Sequence, residues 1–336
     1  MRKIHCLFIV LTLLSVTNIL KAQKIELLQQ GKPTSIRGLS VVDDQTAWIS
    51  GSKGYVAITT DAGKSWNWQQ VKGYEQADFR DIEAFSDKEA IIMSSGTPAY
   101  ILKTTDGGAT WDLKYKNDDK AYFLDAMDFA DKKHGFILGD PINNKFLLLE
   151  TTDAGNTWHP FKNQPDAMVG EAAFAASGTC LRVGKKNANV VTGGTVSRYL
   201  AIDQKSGKIV IDNDLPIAHG AASKGAFSVS AESGVVVGGN YSKDRNADST
   251  ACYFVADIKA IYHSANKGPA GYQSCVEDID HDKLLSTGTS GSNISNDGGQ
   301  TWAQFDTTSY NVCRKAKKGK LVLLAGDRGK IAVFVP

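Results

Sequence analysis

The chain has 336 residues, of which 42% are hydrophobic and 9% aromatic, with 32 Gly and only 8 Pro. This composition is too apolar for a generally disordered chain and can form the core of one large domain or two smaller ones. The net charge of +2 gives little electrostatic support for nucleic-acid binding, so no nucleic-acid partner is expected.

The first 22 residues have the pattern of a cleaved signal peptide. Arg2 and Lys3 give a positive start, and the stretch from Cys6 to Val16 is apolar. That uncharged stretch is shorter than the ~20 residues that a membrane-spanning helix needs. We therefore expect export to the periplasm or the extracellular space, a single domain over residues 23–336, and no integral membrane segment in it.

An eight-residue motif that ends in Trp, which we call the box, occurs four times. The copies are TTDAGKSW at 59–66, TTDGGATW at 104–111, TTDAGNTW at 151–158 and SNDGGQTW at 295–302. Their aspartates, Asp61, Asp106, Asp153 and Asp297, are 45, 47 and 144 residues apart. Because the last spacing is three times 48, it predicts two degenerate copies, at Asp203–Gly207 and near Asp257. A period of this length indicates a repeat architecture.

Apolar segments that end in glycine give the number of repeats. Seven such segments end at Gly51, Gly96, Gly139, Gly194, Gly239, Gly288 and Gly326. Short, β-rich segments separated by turns at this period are typical of four-stranded propeller blades. The sequence therefore predicts an all-β fold, a seven-bladed β-propeller.

The last repeat lacks its fourth strand, because the chain ends shortly after the third. Residues 24–32 (KIELLQQGK) resemble residues 66–73 (WNWQQVKG), which follow the first box. We expect this N-terminal segment to pair with residues 330–335 and close the ring. Closure would remove the exposed sheet edges of an open array.

The box has a structural explanation. An aspartate carboxylate can accept several unpaired backbone N–H groups at a turn, and the glycine can adopt positive φ. The Thr or Ser hydroxyl can add a hydrogen bond, and the tryptophan can pack in the apolar layer of the blade. We therefore assign Asp61, Asp106, Asp153 and Asp297 a structural rather than a catalytic role.

The box resembles the Asp-box, or bacterial neuraminidase repeat, of sialidases, some glucan hydrolases, sortilin-type receptors and photosystem II assembly-factor propellers. An apolar segment ending in Gly before each box is most similar to the assembly-factor group. The segments GEAAFAASGT (170–179), VVVGGNY (235–241) and GYQSCV (271–276) resemble exported bacterial propellers often labelled oxidoreductase or glycosyl hydrolase. The resemblance implies the fold and leaves the function open.

We expect a ligand on the face opposite the boxes, around the central channel. Six residues fall on loops there as ligand-binding candidates: Arg37, Arg80, Asp140, Arg198, Tyr272 and Tyr310. Three carboxylates from adjacent repeats, Asp81, Asp125 and Glu171, are candidate catalytic groups if the protein is a glycosidase, which needs two carboxyl groups about 5–10 Å apart. The alternative is structural, with Arg80 and Asp125 forming a salt bridge between blades.

The remaining chemistry-bearing residues predict no cofactor and no metal. The sequence has no strand–GxGxxG–helix pattern, no CxxC and no Cys–His cluster, so the oxidoreductase label has no support. Outside the first 22 residues there are four cysteines: Cys180, Cys252, Cys275 and Cys313. They are either free and buried or bridged, and a bridge between Cys275 and Cys313 is the specific possibility.

The function expected from the sequence is that of a rigid, monomeric binding platform for a protein partner or an exported glycan. The assembly-factor resemblance favours a protein partner. The alternatives are a sialidase-like glycoside hydrolase that uses Asp81, Asp125 and Glu171, and a structural surface protein without a specific ligand.

Overall fold

The computed structural model describes residues 23–255 and 261–336, which form a ring of seven antiparallel sheets. The prediction of a seven-bladed β-propeller is confirmed. Residues 1–22, on which the signal-peptide prediction falls, lie outside the described residues, as does Asp257. None of the helices in the described ranges has the length and apolar character needed to cross a membrane.

Four blades each consist of four consecutive strands, ordered from the channel outwards. Blade 1 contains β2 (Ile36–Val41), β3 (Ala47–Gly51), β4 (Tyr55–Thr59) and β5 (Asn67–Gln70). Blade 2 contains β6 (Phe79–Ala84), β7 (Ala90–Ser94), β8 (Ala99–Thr104) and β9 (Asp112–Asn117). Blade 3 contains β10 (Leu124–Phe129), β11 (Gly135–Ile142), β12 (Lys145–Thr151) and β13 (His159–Pro160). Blade 6 contains β24 (Cys275–Asp280), β25 (Lys283–Gly288), β26 (Gly291–Ser295) and β27 (Ala303–Asp306).

Blades 4 and 5 are less regular. Blade 4 contains β15 (Leu181–Val183), β16 (Asn187–Val191), β18 (Arg198–Asp203) and β19 (Ile209–Asp214). Blade 5 contains β20 (Ala221–Val229), β21 (Val236–Asn240), β22 (Ala251–Val255) and β23 (Ile261–Ser264), with a short 3-10 helix (Tyr241–Lys243) after β21. Two short strands, β14 (Glu171–Ala172) and β17 (Gly193–Gly194), extend the sheet of blade 5 beyond β20.

Blade 7 joins the two ends of the described chain. It contains β28 (Val312–Lys315), β29 (Val322–Gly326), β30 (Lys330–Val335) and, as its outermost strand, β1 (Lys24–Gln29). β1 runs antiparallel to β30, with Lys24 opposite Val335 and Leu27 opposite Ala332. The predicted closure of the ring by the N-terminal segment is therefore confirmed.

The second strands of the blades explain the apolar segments in the sequence. All residues of β3, β7, β21 and β29 are buried. Because each blade has a neighbour on both faces, side chains on both sides of these strands face apolar partners. The outer strand β5 has no blade beyond it, and its first and last residues are exposed.

The four boxes form turns between the third and fourth strands and have the same hydrogen bonds. In the first box, the Ser65 N–H and hydroxyl both donate to Asp61 (2.9 and 2.6 Å), and the Gly63 N–H donates to Thr59 Oγ1 (3.0 Å). Gly63 has a φ of +84°. The aspartate thus accepts from one backbone N–H and two hydroxyls, fewer backbone groups than the sequence suggested. The hydroxyl of Ser65 makes the largest contribution in lowering the pKa of Asp61 to about 2.

Candidate functional site

The segment 173–180, which we call the plug, crosses the axis of the ring just before β15. It forms hydrogen bonds with four blades: Arg37 Nη1 donates to Ala176 O (3.2 Å), Ser177 Oγ to Ser274 O (2.7 Å), Thr179 Oγ1 to Ser228 Oγ (2.7 Å) and Arg314 Nη2 to Ser177 O (2.7 Å). A short segment bonded to blades 1, 5, 6 and 7 must lie in the middle of the ring. The plug therefore closes the central channel.

One glycine lets the plug approach blade 2. Gly178 has a φ of +71°, and a Cβ built on it would lie 2.1 Å from Asp81 Oδ2. Any side chain at this position would be strained and would collide with the carboxyl group. The Asp81 carboxyl thus packs directly against the plug backbone.

An axial cavity of about 550 Å³ lies on one side of the plug. Residues from all seven blades line it, among them Val41, Glu83, Asp128, Arg182, Glu232, Glu277 and Lys317. Gly178, Asp81 and Arg314 also line it, and their contacts with the plug place them at its floor. The cavity is a concave, preformed space at the centre of a rigid ring, where propellers and barrels commonly hold ligands.

The cavity opens on the box face and not on the opposite face that the sequence suggested. Its mouth is formed by loops between first and second strands, such as residues 129–132 and 315–319. These loops lie beside the boxes, since the Ala154 N–H of the third box donates to Lys133 O (3.0 Å). Of the nine catalytic and ligand-binding candidates, all within the described ranges, Asp81 alone lines this cavity.

Charged side chains of both signs lie at the floor and wall of the cavity. Arg182 Nη2 donates to Glu277 Oε2 at 2.9 Å, and both side chains are 14% exposed. Lys317 Nζ pairs with Glu83. Burial raises the pKa of Glu277 and of Glu83, and the cation paired with each opposes that shift. The cavity is therefore polar, and two ion pairs neutralise part of its charge.

Asp81 lies at the floor of this cavity. Its carboxylate accepts hydrogen bonds from the backbone N–H groups of Ile82 and Met127, both at 2.8 Å. Burial raises the pKa of Asp81 to about 7, although Arg314 and these N–H groups act in the opposite direction. A carboxyl group with such a pKa changes charge near neutral pH.

Replacing Asp81 by asparagine should remove part of the pH dependence of stability. Because the folded-state pKa lies above the value in the unfolded chain, the stability that the Asp81 proton provides is complete below about pH 4 and is lost as pH rises through about 7. The melting temperature of the wild type should therefore fall, relative to that of Asp81→Asn, between about pH 5 and pH 8.

The control for this measurement is Asp61→Asn. The pKa of Asp61 is lowered to about 2, so protonation of Asp61 affects stability only in acid. Between about pH 5 and pH 8 the melting temperature of Asp61→Asn should therefore change with pH in parallel with that of the wild type. Parallel profiles for Asp81→Asn as well would show that Asp81 stays ionised throughout.

Asp125 lies elsewhere, and the predicted Arg80–Asp125 salt bridge is wrong. Arg80 Nε donates to Asp78 Oδ2 at 2.7 Å. Neither carboxylate oxygen of Asp125 has a hydrogen-bond partner of regular geometry, and the side chain is fully buried. Burial raises the pKa of Asp125 well above its usual value, with a further contribution from Asp140, while Arg80 and the Ala175 N–H oppose it. Asp140 accepts from the plug at Ala173 N–H (3.3 Å), and burial raises its pKa to about 6.

Glu171 does not line the cavity and has its own partners. It precedes the plug in β14 rather than in the inner strand of blade 4, and it forms a buried ion pair with Arg198 at 2.7 Å. Arg198 also pairs with Asp212 at 2.9 Å. Asp81 thus lines the cavity, Asp125 packs near Asp140, and Glu171 is neutralised by Arg198. Of the three candidate catalytic groups, Asp81 alone lines the cavity.

The other candidates on the opposite face support the plug or pack in the core. Arg37 donates to the plug, as described above. Tyr272 is 5% exposed and packs edge-on to Phe227, which stacks at 3.9 Å on Phe174 of the plug. Tyr310 is buried beneath the ammonium group of Lys330, which lies 5.2 Å from its ring centroid.

The four cysteines are buried and free, so the possible Cys275–Cys313 disulfide is not formed. The Cys275 thiol instead donates to Cys313 O at 3.2 Å. In the described ranges no three His, Cys, Asp or Glu side chains form a group that could hold a metal ion.

Comparison with known proteins supports the resemblance seen in the sequence. Residues 18–121 match the family model for the photosynthesis system II assembly factor YCF48. A structure of YCF48 bound to D1 peptide superposes with a TM-score of 0.68 at 15% identity, covering 94% of this chain and 97% of that one. The expected resemblance to the assembly-factor propellers is confirmed.

Two further solved structures share the fold. YCF48 from Cyanidioschyzon merolae gives a TM-score of 0.58 at 14% identity, covering 93% of this chain and 99% of that one. Virginiamycin B lyase from Staphylococcus aureus gives 0.64 at 11% identity, covering 94% and 100%. No curated protein matches this sequence significantly. At these identities the likeness shows a common architecture, and the function has to be argued from the site.

The sequence contained a signal for the cavity residues that the predictions missed. Four charged residues interrupt the apolar inner strands at or near the same point of the repeat, each directly after a buried hydrophobic residue: Glu83, Asp128, Arg182 and Glu277. A charge inside an apolar strand indicates a polar space next to it. Comparing the inner strands across repeats would have located the cavity.

Proposed function

We propose that this protein is a binding propeller that holds a segment of a partner protein in the axial cavity. The observation that carries the proposal is the cavity itself, which has a closed floor, a volume of about 550 Å³ and walls contributed by every blade. A preformed site on a closed ring loses little conformational freedom when a segment binds, which favours recognition. The fold shared with a peptide-bound propeller supports a peptide as the guest.

The proposal concerns binding rather than glycoside hydrolysis. A hydrolase needs two carboxyl groups on either side of one bond, whereas of Asp81, Asp125 and Glu171 only Asp81 lines the cavity, and Glu171 is paired with Arg198. A glycan is the second candidate guest, because the aromatic rings of Phe85 and Phe129 line the cavity and aromatic faces can pack against sugars. A glycan array tested with the same protein would distinguish the two guests.

The proposal is tested by filling the mouth of the cavity. Peptides that bind residues 23–336 are selected from a random display library, and their affinities are measured for the wild type, Ala231→Trp and Leu113→Trp. Ala231 is exposed and lines the cavity, while Leu113 is 47% exposed on β9 in the outer part of blade 2. We expect Ala231→Trp to weaken binding at least about tenfold, roughly 1.4 kcal/mol, and Leu113→Trp to leave it unchanged. Equal affinities for all three proteins would overturn the proposal.

Export is part of the same proposal. Its support is the positively charged start and the short apolar stretch within residues 1–22. Expression of the full chain in a bacterial host should give a periplasmic or secreted protein that begins at Gln23. Mass determination of the N-terminal peptide measures this directly, and a cytoplasmic product that retains Met1 would contradict it.

A further inference from the structure

Five acidic groups lie at the floor and wall of the axial cavity, and each already has a hydrogen-bond donor or an ion-pair partner. Both oxygens of four of them already have donors, which are Ile82 N and Met127 N for Asp81, Phe129 N and Val183 N for Asp128, Arg182 Nη2 and Lys315 N for Glu277, and Glu232 N and Ser233 Oγ for Asp278. The fifth, Glu83, pairs with Lys317. Asp131 and Glu232, which also line the cavity, are exposed at its mouth. A basic guest would share these oxygens with donors that are already in place.

The two guanidinium groups that line the cavity have unused donors. A guanidinium carries five N–H groups. Arg182 uses two of them, on Val229 O (3.2 Å) and Glu277 Oε2 (2.9 Å). Arg314 uses three, on Cys275 Sγ, Cys313 O (both 3.1 Å) and Ser177 O (2.7 Å). Within the described residues, half of these donors have no protein acceptor.

Arg314 is also held in place at the floor of the cavity. Two backbone carbonyls and a thiol fix its side chain, and no carboxylate lies within ion-pair distance of it among the described residues. A fixed guanidinium pays little entropy when it binds an oxyanion, and its planar edge matches a carboxylate. Among the described residues, Arg314 is thus a fixed hydrogen-bond donor at the floor that has no carboxylate in direct contact with it.

We propose that the partner segment places an acidic side chain in this cavity, where its carboxylate accepts hydrogen bonds from Arg182 and Arg314. The inference rests on the proposed function, since it specifies the chemistry of the guest. Three lysines at the mouth, Lys132, Lys315 and Lys318, form no ion pair among the described residues. They outnumber the two exposed carboxylates there, Asp131 and Glu232, and so favour the approach of the same negative charge.

The test uses the display-selected peptides of the preceding subsection. Each is compared with a version in which its acidic residue is replaced by the matching amide. With the wild type, the amide version should bind at least about tenfold more weakly, because a charge-assisted pair is lost. With Arg314→Gln the two versions should differ by less than about twofold.

A second measurement does not depend on the folding of that variant. The titratable and charged groups near Asp81 are Arg314 on β28, Glu83 on the same strand as Asp81, and Cys180 at the end of the plug. The Arg182–Glu277 ion pair lies across the floor of the cavity. Between about pH 8 and pH 6 the guest carboxylate and both arginines stay charged, while Asp81 takes up a proton. The acidic peptide should therefore bind more tightly at the lower pH, and the amide peptide should not.

The outcomes separate the two proposals. In one outcome, Ala231→Trp weakens the binding of the peptides, but the acid and amide versions bind equally well and neither binds more tightly at low pH. This outcome overturns the acidic guest and leaves the binding function intact. Peptides that Ala231→Trp does not displace overturn both. If the amide version binds the wild type more weakly than the acid version, and this difference disappears in Arg314→Gln, both the binding function and the acidic guest are supported.

Discussion

Arg198→Ala is expected to destabilise the protein by about 3–5 kcal/mol, the usual cost of removing one partner of a buried ion pair. The side chain of Arg198 is 5% exposed and that of Glu171 is fully buried. Without Arg198, the Glu171 carboxylate keeps only the Thr192 hydroxyl (2.5 Å) and the Met168 N–H (2.7 Å) as donors. The free energy of unfolding from guanidinium titration measures the loss.

Two control variants assign that loss to the buried charge. Asp212→Asn removes the half-exposed partner of the same arginine, whose side chain is 46% exposed, and should cost no more than about 1 kcal/mol. Glu171→Gln combined with Arg198→Met removes both buried charges and should recover most of the loss. A cost for Arg198→Ala no greater than that for Asp212→Asn would mean that the pair is not buried in solution.

The same ion pair shows why the sequence repeat was sufficient to predict the fold but not the roles of individual side chains. Each box residue acts within its own turn, since Asp61 and Ser65 bond to each other, so a local pattern was sufficient evidence for a blade. Glu171 and Arg198 come close because β14 pairs with β17, with Glu171 opposite Gly194, and β18 begins at Arg198 shortly after β17. No residue spacing indicated that pairing.

Arg80 illustrates the competition between near and distant partners. The repeat alignment placed Arg80 beside Asp125 of the next blade. Asp78, which directly precedes β6 and is two residues from Arg80, forms the ion pair instead. A nearby partner costs less conformational freedom than a distant one. Asp125 is left without the arginine and is buried close to the plug.

The plug was visible in the sequence as a motif but not as a structure. The segment 170–179 was one of the stretches that carried the family resemblance, and the plug occupies most of it. Small residues such as Ala176, Ser177 and Gly178 allow a chain to enter a narrow channel. Whether the chain enters the channel or passes over it depends on contacts with four other blades, which no local pattern encodes.

Removing β1 is expected to open the ring and to make the protein associate. A chain that begins at Gln30 would leave the N–H and C=O groups of β30 unpaired along an apolar strand in which Ile331, Ala332 and Phe334 are buried. Such an edge pairs readily with another chain. The lost packing of Ile25 and Leu28 against this core adds about 3 kcal/mol of destabilisation. Light scattering after size exclusion should show oligomers in place of the species formed by residues 23–336.

Complementation by a peptide makes this prediction specific to strand pairing. A synthetic peptide of residues 24–32 added to the shortened chain should restore its melting temperature and its size, because the register from Lys24–Val335 to Gln29–Ile331 can re-form between two molecules. A peptide of the same composition in scrambled order should not, since it cannot direct two apolar side chains to the core face at once. Within residues 23–336, Leu28→Ser should destabilise more than Leu27→Ser, because Leu27 is 51% exposed. A shortened chain that stays monodisperse and equally stable would show that the ring does not depend on its N-terminal strand.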